Sequence, residues 1–324
     1  MMPETNGLPY GLAFPKQVRD RLTSDDRRIL VFGASGWIGR NLLALLWECL
    51  GAAEFSRRVI AFGSSSRAIP LSPTLAIEQL PLEMVAQLDH RPSLAFHLAF
   101  LTKDKVAGMD RQCYIQANRL LSDVVFTGLT TAGVDRLFLA SSGAAAFADD
   151  PNAAADLRLY GQLKRDDEER FAAWATTNRK LLNCRIYAVS GPYVNKPETY
   201  ALASFILAAM AGGPVVVKAP RRVVRSYVAV REILAAAVSA LLDADETPVT
   251  FVESGGTPTE LGEVATTVAD ILGTEVVRAA ITEADSNIYV GNDVTWQKLL
   301  HRYALDSITL RDQILETARW LQSH

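Results

Sequence analysis

Cysteine is scarce in this chain of 324 residues, and its three copies, Cys49, Cys113 and Cys184, lie far apart and are odd in number. They assemble neither a disulfide framework nor a CxxC metal site, which points to a reducing, cytoplasmic setting. Charge of one sign is missing too. The 33 Lys and Arg face 36 Asp and Glu, a net charge of −3, so the chain as a whole does not attract nucleic acid. Of the four histidines, His90, His301 and His324 have no ligand spacing with any Cys or acidic cluster, and no metal is expected. His97 sits in an apolar strand and reads as a core histidine. Met1 to Phe14 lacks a basic, apolar leader. The longest uncharged run, Thr199 to Val217, is broken near its end by Gly212-Gly213-Pro214, so no membrane span is expected.

What is present is the balance of a globular protein, with 49% apolar residues and 8% aromatics. Residues 1–26 carry Pro3, Gly7, Pro9, Gly11 and Pro15 before a helical stretch, Lys16 to Leu22, and read as an N-terminal extension outside the core. A buried-strand pattern follows at Arg28 to Phe32, then a glycine-rich turn and an apolar helix from Asn41 to Leu50. Short apolar runs recur at Arg58 to Phe62, Leu94 to Ala99, Leu137 to Ala140 and Leu182 to Val189. Helical stretches such as Tyr114 to Ala132 and Gln162 to Thr177 separate them. Alternating strands and helices predict an α/β fold, a Rossmann-type doubly wound parallel sheet over residues 27–190, with 225–254 returning to it. Residues 191–324 read mainly as a smaller C-terminal domain.

Three motifs carry chemistry. Gly33-Ala34-Ser35-Gly36-Trp37-Ile38-Gly39 lies directly between a strand and a helix. Its glycines permit a tight turn and close approach of a pyrophosphate, and the helix N-terminus adds partial positive charge. This marks Gly33, Ser35, Gly36, Trp37, Ile38 and Gly39 as dinucleotide-binding candidates. At the end of the next strand stand Gly63-Ser64-Ser65-Ser66-Arg67. A site that prefers NAD usually carries an acid here for the ribose hydroxyls. Ser64, Ser65 and Arg67 offer instead hydroxyls and a cation suited to a 2′-phosphate, which favours NADP with NAD as the alternative. The third motif is Tyr160-Gly161-Gln162-Leu163-Lys164, downstream of the strand-end pair Ser141-Ser142. Helical spacing puts the Tyr160 phenol and Lys164 ammonium on one face, and a neighbouring ammonium is expected to lower the phenol toward the range of a proton shuttle.

With these motifs in order, the sequence resembles the short-chain dehydrogenase/reductase superfamily, in its extended branch of NAD(P)-dependent nucleotide-sugar epimerases, dehydratases and ketoreductases. The resemblance spans nearly everything after residue 27. It includes Phe96-His97-Leu98-Ala99, Asn118, Arg185-Ile186-Tyr187, Ser190-Gly191-Pro192, Arg225-Ser226-Tyr227-Val228, Ser254-Gly255-Gly256 and the segment Leu310 to Trp320. It implies that Tyr160 is the acid/base, Lys164 the ribose-binding ammonium, Ser142 the substrate-orienting hydroxyl, and Arg225 a substrate-diphosphate ligand. It also implies that Leu98 and Ala99 line the cofactor and that the smaller domain over 191–324 is substrate-binding. The chain departs from the pattern in three places. Gly143 and Ala144 stand where sugar-nucleotide dehydratases carry an acidic pair, which disfavours elimination of water. Ala188 replaces an asparagine that contacts the diphosphate, and the acid usual after the Arg225 region falls on Glu232 or is missing.

Lys218, Arg221, Arg222 and Arg225 put four cations in eight residues, suited to clamping a diphosphate or to a solvated loop. Lys164-Arg165-Asp166-Asp167-Glu168-Glu169-Arg170 reads as mostly the wet face of its helix. The expected function is NAD(P)-dependent hydride transfer at C4 of a nucleoside-diphosphate sugar, as a 4-ketoreductase in a homodimer. The alternatives are an epimerase with transient oxidation, a reductase of a small carbonyl, and a non-catalytic dinucleotide sensor.

Overall fold

The computed structural model describes residues 8, 9, 11–244 and 248–323. Its strands are β1 (Arg28–Phe32), β2 (Val59–Gly63), β3 (Arg67–Ser72), β4 (Leu75–Pro81), β5 (Ser93–His97), β6 (Val134–Ser142) and β7 (Lys180–Ile186). They continue with β8 (Ala188–Ser190), β9 (Val215–Val217), β10 (Arg222–Ala229), β11 (Phe251–Glu253), β12 (Pro258–Glu260), β13 (Val276–Arg278) and β14 (Ser286–Tyr289). The helices are α1 (Lys16–Ser24), α2 (Trp37–Arg58), α3 (Arg111–Thr131), α4 (Ala155–Ala172), α5 (Ala201–Met210), α6 (Val230–Leu241), α7 (Leu261–Leu272), α8 (Asp293–Arg302) and α9 (Leu310–Gln322).

Eight strands form one sheet in the order β11-β7-β6-β5-β1-β2-β4-β3, and every pairing in it is parallel except that of β3 with β4. Strands β1 and β5 are buried at all five of their residues, as befits a parallel sheet covered on both faces. The doubly wound sheet predicted from the sequence is therefore present. After β1 the chain moves out to β2 and later returns to β5 on the other side of β1. The reversal leaves a crevice at the carboxyl ends of these two strands, where open α/β sheets bind ligands.

One face of the sheet packs against α1, α2 and α6, the other against α3 and α4. The N-terminal segment belongs to the first of these cores, which corrects the reading of residues 1–26 as lying outside it. Leu12, Phe14, Val18 and Leu22 are all at most 3% exposed and pack with α2 and α6. Val18 and Leu22 are spaced i, i+4 and turn inward together. Residues 1–7 of that extension are outside the described residues.

Beyond β7 the chain builds a smaller assembly. A second sheet runs β12-β10-β14, with β8 pairing β10, and β13 pairs β9. Residues of α5, α7 and α9 enclose a separate apolar cluster. The run from Thr199 to Val217 is α5, closed by Gly212 at φ +77°, then β9. Among the described residues no helix is long and apolar enough to cross a membrane. Returning to the large sheet, α6 packs on β6 and β7, and β11 pairs with β7. Buried Glu232 of α6 accepts hydrogen bonds from Trp296 Nε1 (2.7 Å) and Ile308 N (2.6 Å), tying the C-terminal segment to α6. Burial raises that carboxyl to about 7, so Glu232 acts as a structural clasp here.

Candidate active site

The glycine loop lies at the switch-point crevice. Gly33 has φ +84°, and a Cβ there would sit 2.6 Å from Ala99 N and 2.7 Å from Leu98 C, so only glycine lets the loop and the end of β5 approach this closely. A Cβ on Gly39 would meet the Gly33 and Ala34 carbonyl oxygens at 2.5 Å. Gly36 caps α2 without a side-chain hydrogen bond, and no acid stands in the first turn. The leading amides of α2 are thus left with no capping side chain and no competing carboxylate, an arrangement that can take a diphosphate. The indole of Trp37 is buried and donates to Pro192 O at 2.7 Å, beside a second donor to the same oxygen, Asn41 Nδ2 at 2.8 Å. Trp37 therefore contributes packing through its side chain.

Ser64, Ser65 and Arg67 are exposed around the β2–β3 turn. Arg67 Nη2 donates to the Ser35 hydroxyl, which brings the turn and the glycine loop together. Gly63 abuts buried Gln79, whose amide donates to Ser65 O at 2.8 Å and shapes the turn.

Strand β6 delivers Ser141 and Ser142 to opposite sides, as strand alternation requires. Ser141 donates into Glu168, beneath the sheet end. Ser142 Oγ accepts from Ala144 N at 3.2 Å and lies 3.3 Å from the Tyr289 hydroxyl. Tyr160 also meets the Ser142 hydroxyl, so the structure brings the predicted serine and phenol together. The expected lowering of the phenol is reversed, however. Burial pushes Tyr160 upward, the neighbouring Tyr289 adds to that, and the Ser142 contact opposes it only in part. Lys164 is only 6% exposed, donates to Ala140 O at 2.8 Å, and lies over the face of Phe100, 3.8 Å from the ring centroid. Burial pushes this ammonium down to about 8.

The charged run after Lys164 is not mostly a wet face. Asp167 and Glu168 are buried along with Lys164 itself. Asp167 accepts from Ser122 Oγ at 2.6 Å, and Glu168 takes two bonds from Arg185, at 2.9 and 2.7 Å. Glu168 neutralises Arg185 directly, and both acids favour the Lys164 charge only through space in this desolvated place. His97 is buried against Phe171 and Phe32, and burial pushes it down to about 3, in keeping with a neutral core histidine. Asn118 ties the loop after β5 to α3, accepting from Leu101 N at 2.8 Å.

The basic stretch does not act as one clamp. Arg221 is paired with Glu283 and Asp285, Lys218 and Arg222 are exposed, and Arg225 alone turns inward. Its guanidinium carbon lies 5.9 Å from the centroid of the Tyr289 ring, and Nη1 donates to Asn287 O at 3.0 Å. Tyr289, which the sequence reading missed, is held between Tyr187 (4.8 Å) and Phe147 (5.9 Å). It lies on β14, a strand of four residues paired in parallel with β10, and no motif marks it. Gly143 explains one departure from the dehydratase pattern, because a Cβ there would fall 2.4 Å from the Tyr187 ring. Among the described residues no cluster of three or more His, Cys, Asp or Glu could hold a metal.

Residues 29–252 match the model of the NAD dependent epimerase/dehydratase family. No curated protein sequence matches the chain. Among solved structures, an epimerase from the thermophilic methanogen Methanothermobacter thermautotrophicus is similar with a TM-score of 0.69 and 20% identity, covering 95% of this chain and 96% of that one. The UDP-glucose 4-epimerase of Thermotoga maritima, solved with UDP-glucose, has a TM-score of 0.68 at 20% identity, over 91% and 98% of the two chains. The UDP-N-acetylglucosamine 4-epimerase of Methanobrevibacter ruminantium, in complex with UDP-N-acetylmuramic acid, has a TM-score of 0.68 at 18% identity, over 92% and 99%. The family match covers the glycine loop, Ser142, Tyr160 and Lys164 in one span, and the fold agrees across the remainder: the chain belongs to the NAD dependent epimerase/dehydratase family, enzymes of the extended short-chain dehydrogenase/reductase type.

Proposed function

We propose that this enzyme reduces the C4 ketone of a nucleotide-linked sugar, with NADPH as its reductant. The glycine cradle fits a dinucleotide diphosphate, held by the loop from Gly33 to Gly39 with Leu98 and Ala99 opposite. When bound, the nicotinamide supplies the hydride. Everything else in the reaction falls to the chain. Tyr160 donates the proton to the developing alkoxide, Ser142 orients the carbonyl oxygen, and Lys164 holds the cofactor ribose. A phenol that burial keeps protonated suits an acid working in the direction of reduction. Arg225 holds the substrate diphosphate from the C-terminal part, residues 191–324, while 27–190 carries the cofactor. Gly143 and Ala144 supply no acid or base for elimination. The homodimer and the cytoplasmic setting belong to the same proposal.

The observation that carries the choice of cofactor is Arg67 seated on Ser35 at the mouth of the glycine loop, with Ser64 and Ser65 alongside and no carboxylate at the end of β2. A charge-assisted contact to a 2′-phosphate contributes roughly 1.5 to 3 kcal/mol, a tenfold preference or more. Fluorescence titration is expected to show NADPH binding at least ~10-fold tighter than NADH, with Arg67→Glu abolishing the difference. Equal affinities in the unaltered protein would remove Arg67 from the cofactor site. The second reading, epimerisation with retained NAD, draws on the family's description and on the 4-epimerases among the similar structures.

A further inference from the structure

We infer that Phe100 is a positioning residue of this active site, whose ring face keeps the Lys164 ammonium charged and seated on Ala140 O. The inference rests on the reading of Lys164 as the cation that holds the cofactor. Phe100 lies three residues beyond the end of β5, and its ring touches both members of the pair. Lys164 Nζ stands 3.8 Å from the ring centroid, and the Tyr160 ring meets Phe100 nearly edge-on, at 5.6 Å and 77°.

An ammonium has three protons to place, and Lys164 gives one to Ala140 O. Its charged surroundings are mostly engaged elsewhere. On α4, Asp167 is bonded to Ser122, Glu168 to Ser141 and Arg185, and Arg170 to Asp123 of α3. His97 on β5 is kept neutral, and the phenols of Tyr160 and Tyr289 are both pushed up by burial. Asp167 and Glu168 still favour the ammonium through space, but burial outweighs them and depresses it to about 8. A π face against a desolvated cation is then the remaining favourable contact, and removing it lets the ammonium lose its proton near neutral pH. A neutral Lys164 would not bind the ribose as a cation.

The substitution must remove the π face without admitting water. Phe100 also lines a cavity of about 210 Å³ between α3 and α4, shared with Asn118, Ser122, Asp167 and Arg170, and an alanine would open that space toward the ammonium. Phe100→Leu keeps the bulk and removes the ring, whereas Phe100→Tyr keeps the face. Lysine side-chain NMR of the free protein, with the Lys164 signal assigned through Lys164→Arg, reads the titration directly. The expected result is a midpoint about one pH unit lower in Phe100→Leu, and an unchanged midpoint in Phe100→Tyr. A Phe100→Leu midpoint at or above that of the unaltered protein overturns the inference. Should far-UV circular dichroism show that Phe100→Leu does not fold, Phe100→Met takes its place with the same expectation. No substrate enters this measurement, so failure to turn over any nucleotide sugar would sink the proposed reaction and leave the Phe100 result standing.

Discussion

Tyr160→Phe is expected to lower turnover of the proposed nucleotide-sugar substrate by at least ~100-fold, the lower range for loss of a positioned acid/base, and to leave the fold and dinucleotide affinity nearly unchanged. The substitution removes one oxygen from a ring that still packs edge-on against Phe100. That oxygen is the phenol beside the Ser142 hydroxyl, and Gly143 and Ala144 offer no carboxylate to replace it. Tyr289 is the nearest substitute proton donor, 3.3 Å from Ser142. Tyr289→Phe in the same background therefore separates a rescued reaction from a residual one. Steady-state rates and a cofactor titration on the same preparations make the check. A Tyr160→Phe enzyme within a few-fold of the unaltered protein would take Tyr160 out of the mechanism.

Gly33→Ala has the second large effect. At φ +84° an L side chain costs about 1 to 2 kcal/mol, and its methyl would also lie 2.6 Å from Ala99 N, on backbone that cannot rotate away. Strands β1 and β5 must separate at the proposed diphosphate cradle, so NAD(P) affinity is expected to fall at least ~10-fold, with a lower melting temperature. Gly36→Ala is the internal comparison. There φ is −72° and the nearest atom to an added Cβ is Gly33 O at 3.3 Å, so the loss is smaller. Fluorescence titration and thermal melts of the two variants give the ordering. Normal affinity in Gly33→Ala would show that the close approach of Gly33 to the end of β5 plays no part in holding the cofactor.

Local signals in the sequence were strong where one segment carries both the pattern and the chemistry. The run Arg28 to Phe32 followed by Gly33 to Gly39 specifies strand, turn and helix within about a dozen residues, and the structure has all three. The placement of Tyr160, Lys164 and Ser142 was legible because helical spacing and a strand end determine where residues point, and α4 and β6 carry them as expected. What escaped depends on distant packing. Val18 and Leu22 show the i, i+4 spacing of a buried helix face, but the proline- and glycine-rich lead-in masked it. Asp167 and Glu168 look like surface charge until Ser122, Ser141 and Arg185 are brought over them from other elements. The phenol was expected to drop because Lys164 is one turn away, yet the lysine is directed to Ala140 O and Phe100, and desolvation wins. Tyr289 reaches the site only through the parallel pairing of β14 with β10.

The most direct test of net 4-keto reduction supplies a nucleotide-linked 4-keto-6-deoxy sugar with NADPH and follows the loss of absorbance of the reduced cofactor. A parallel sample contains ordinary nucleotide hexoses without added cofactor and is followed by NMR. Stoichiometric oxidation of NADPH, with one hydroxyl epimer formed at C4 and no change in the hexoses, is the predicted result. Interconversion of the hexose epimers with no net consumption of NADPH would contradict it and establish the epimerase reading.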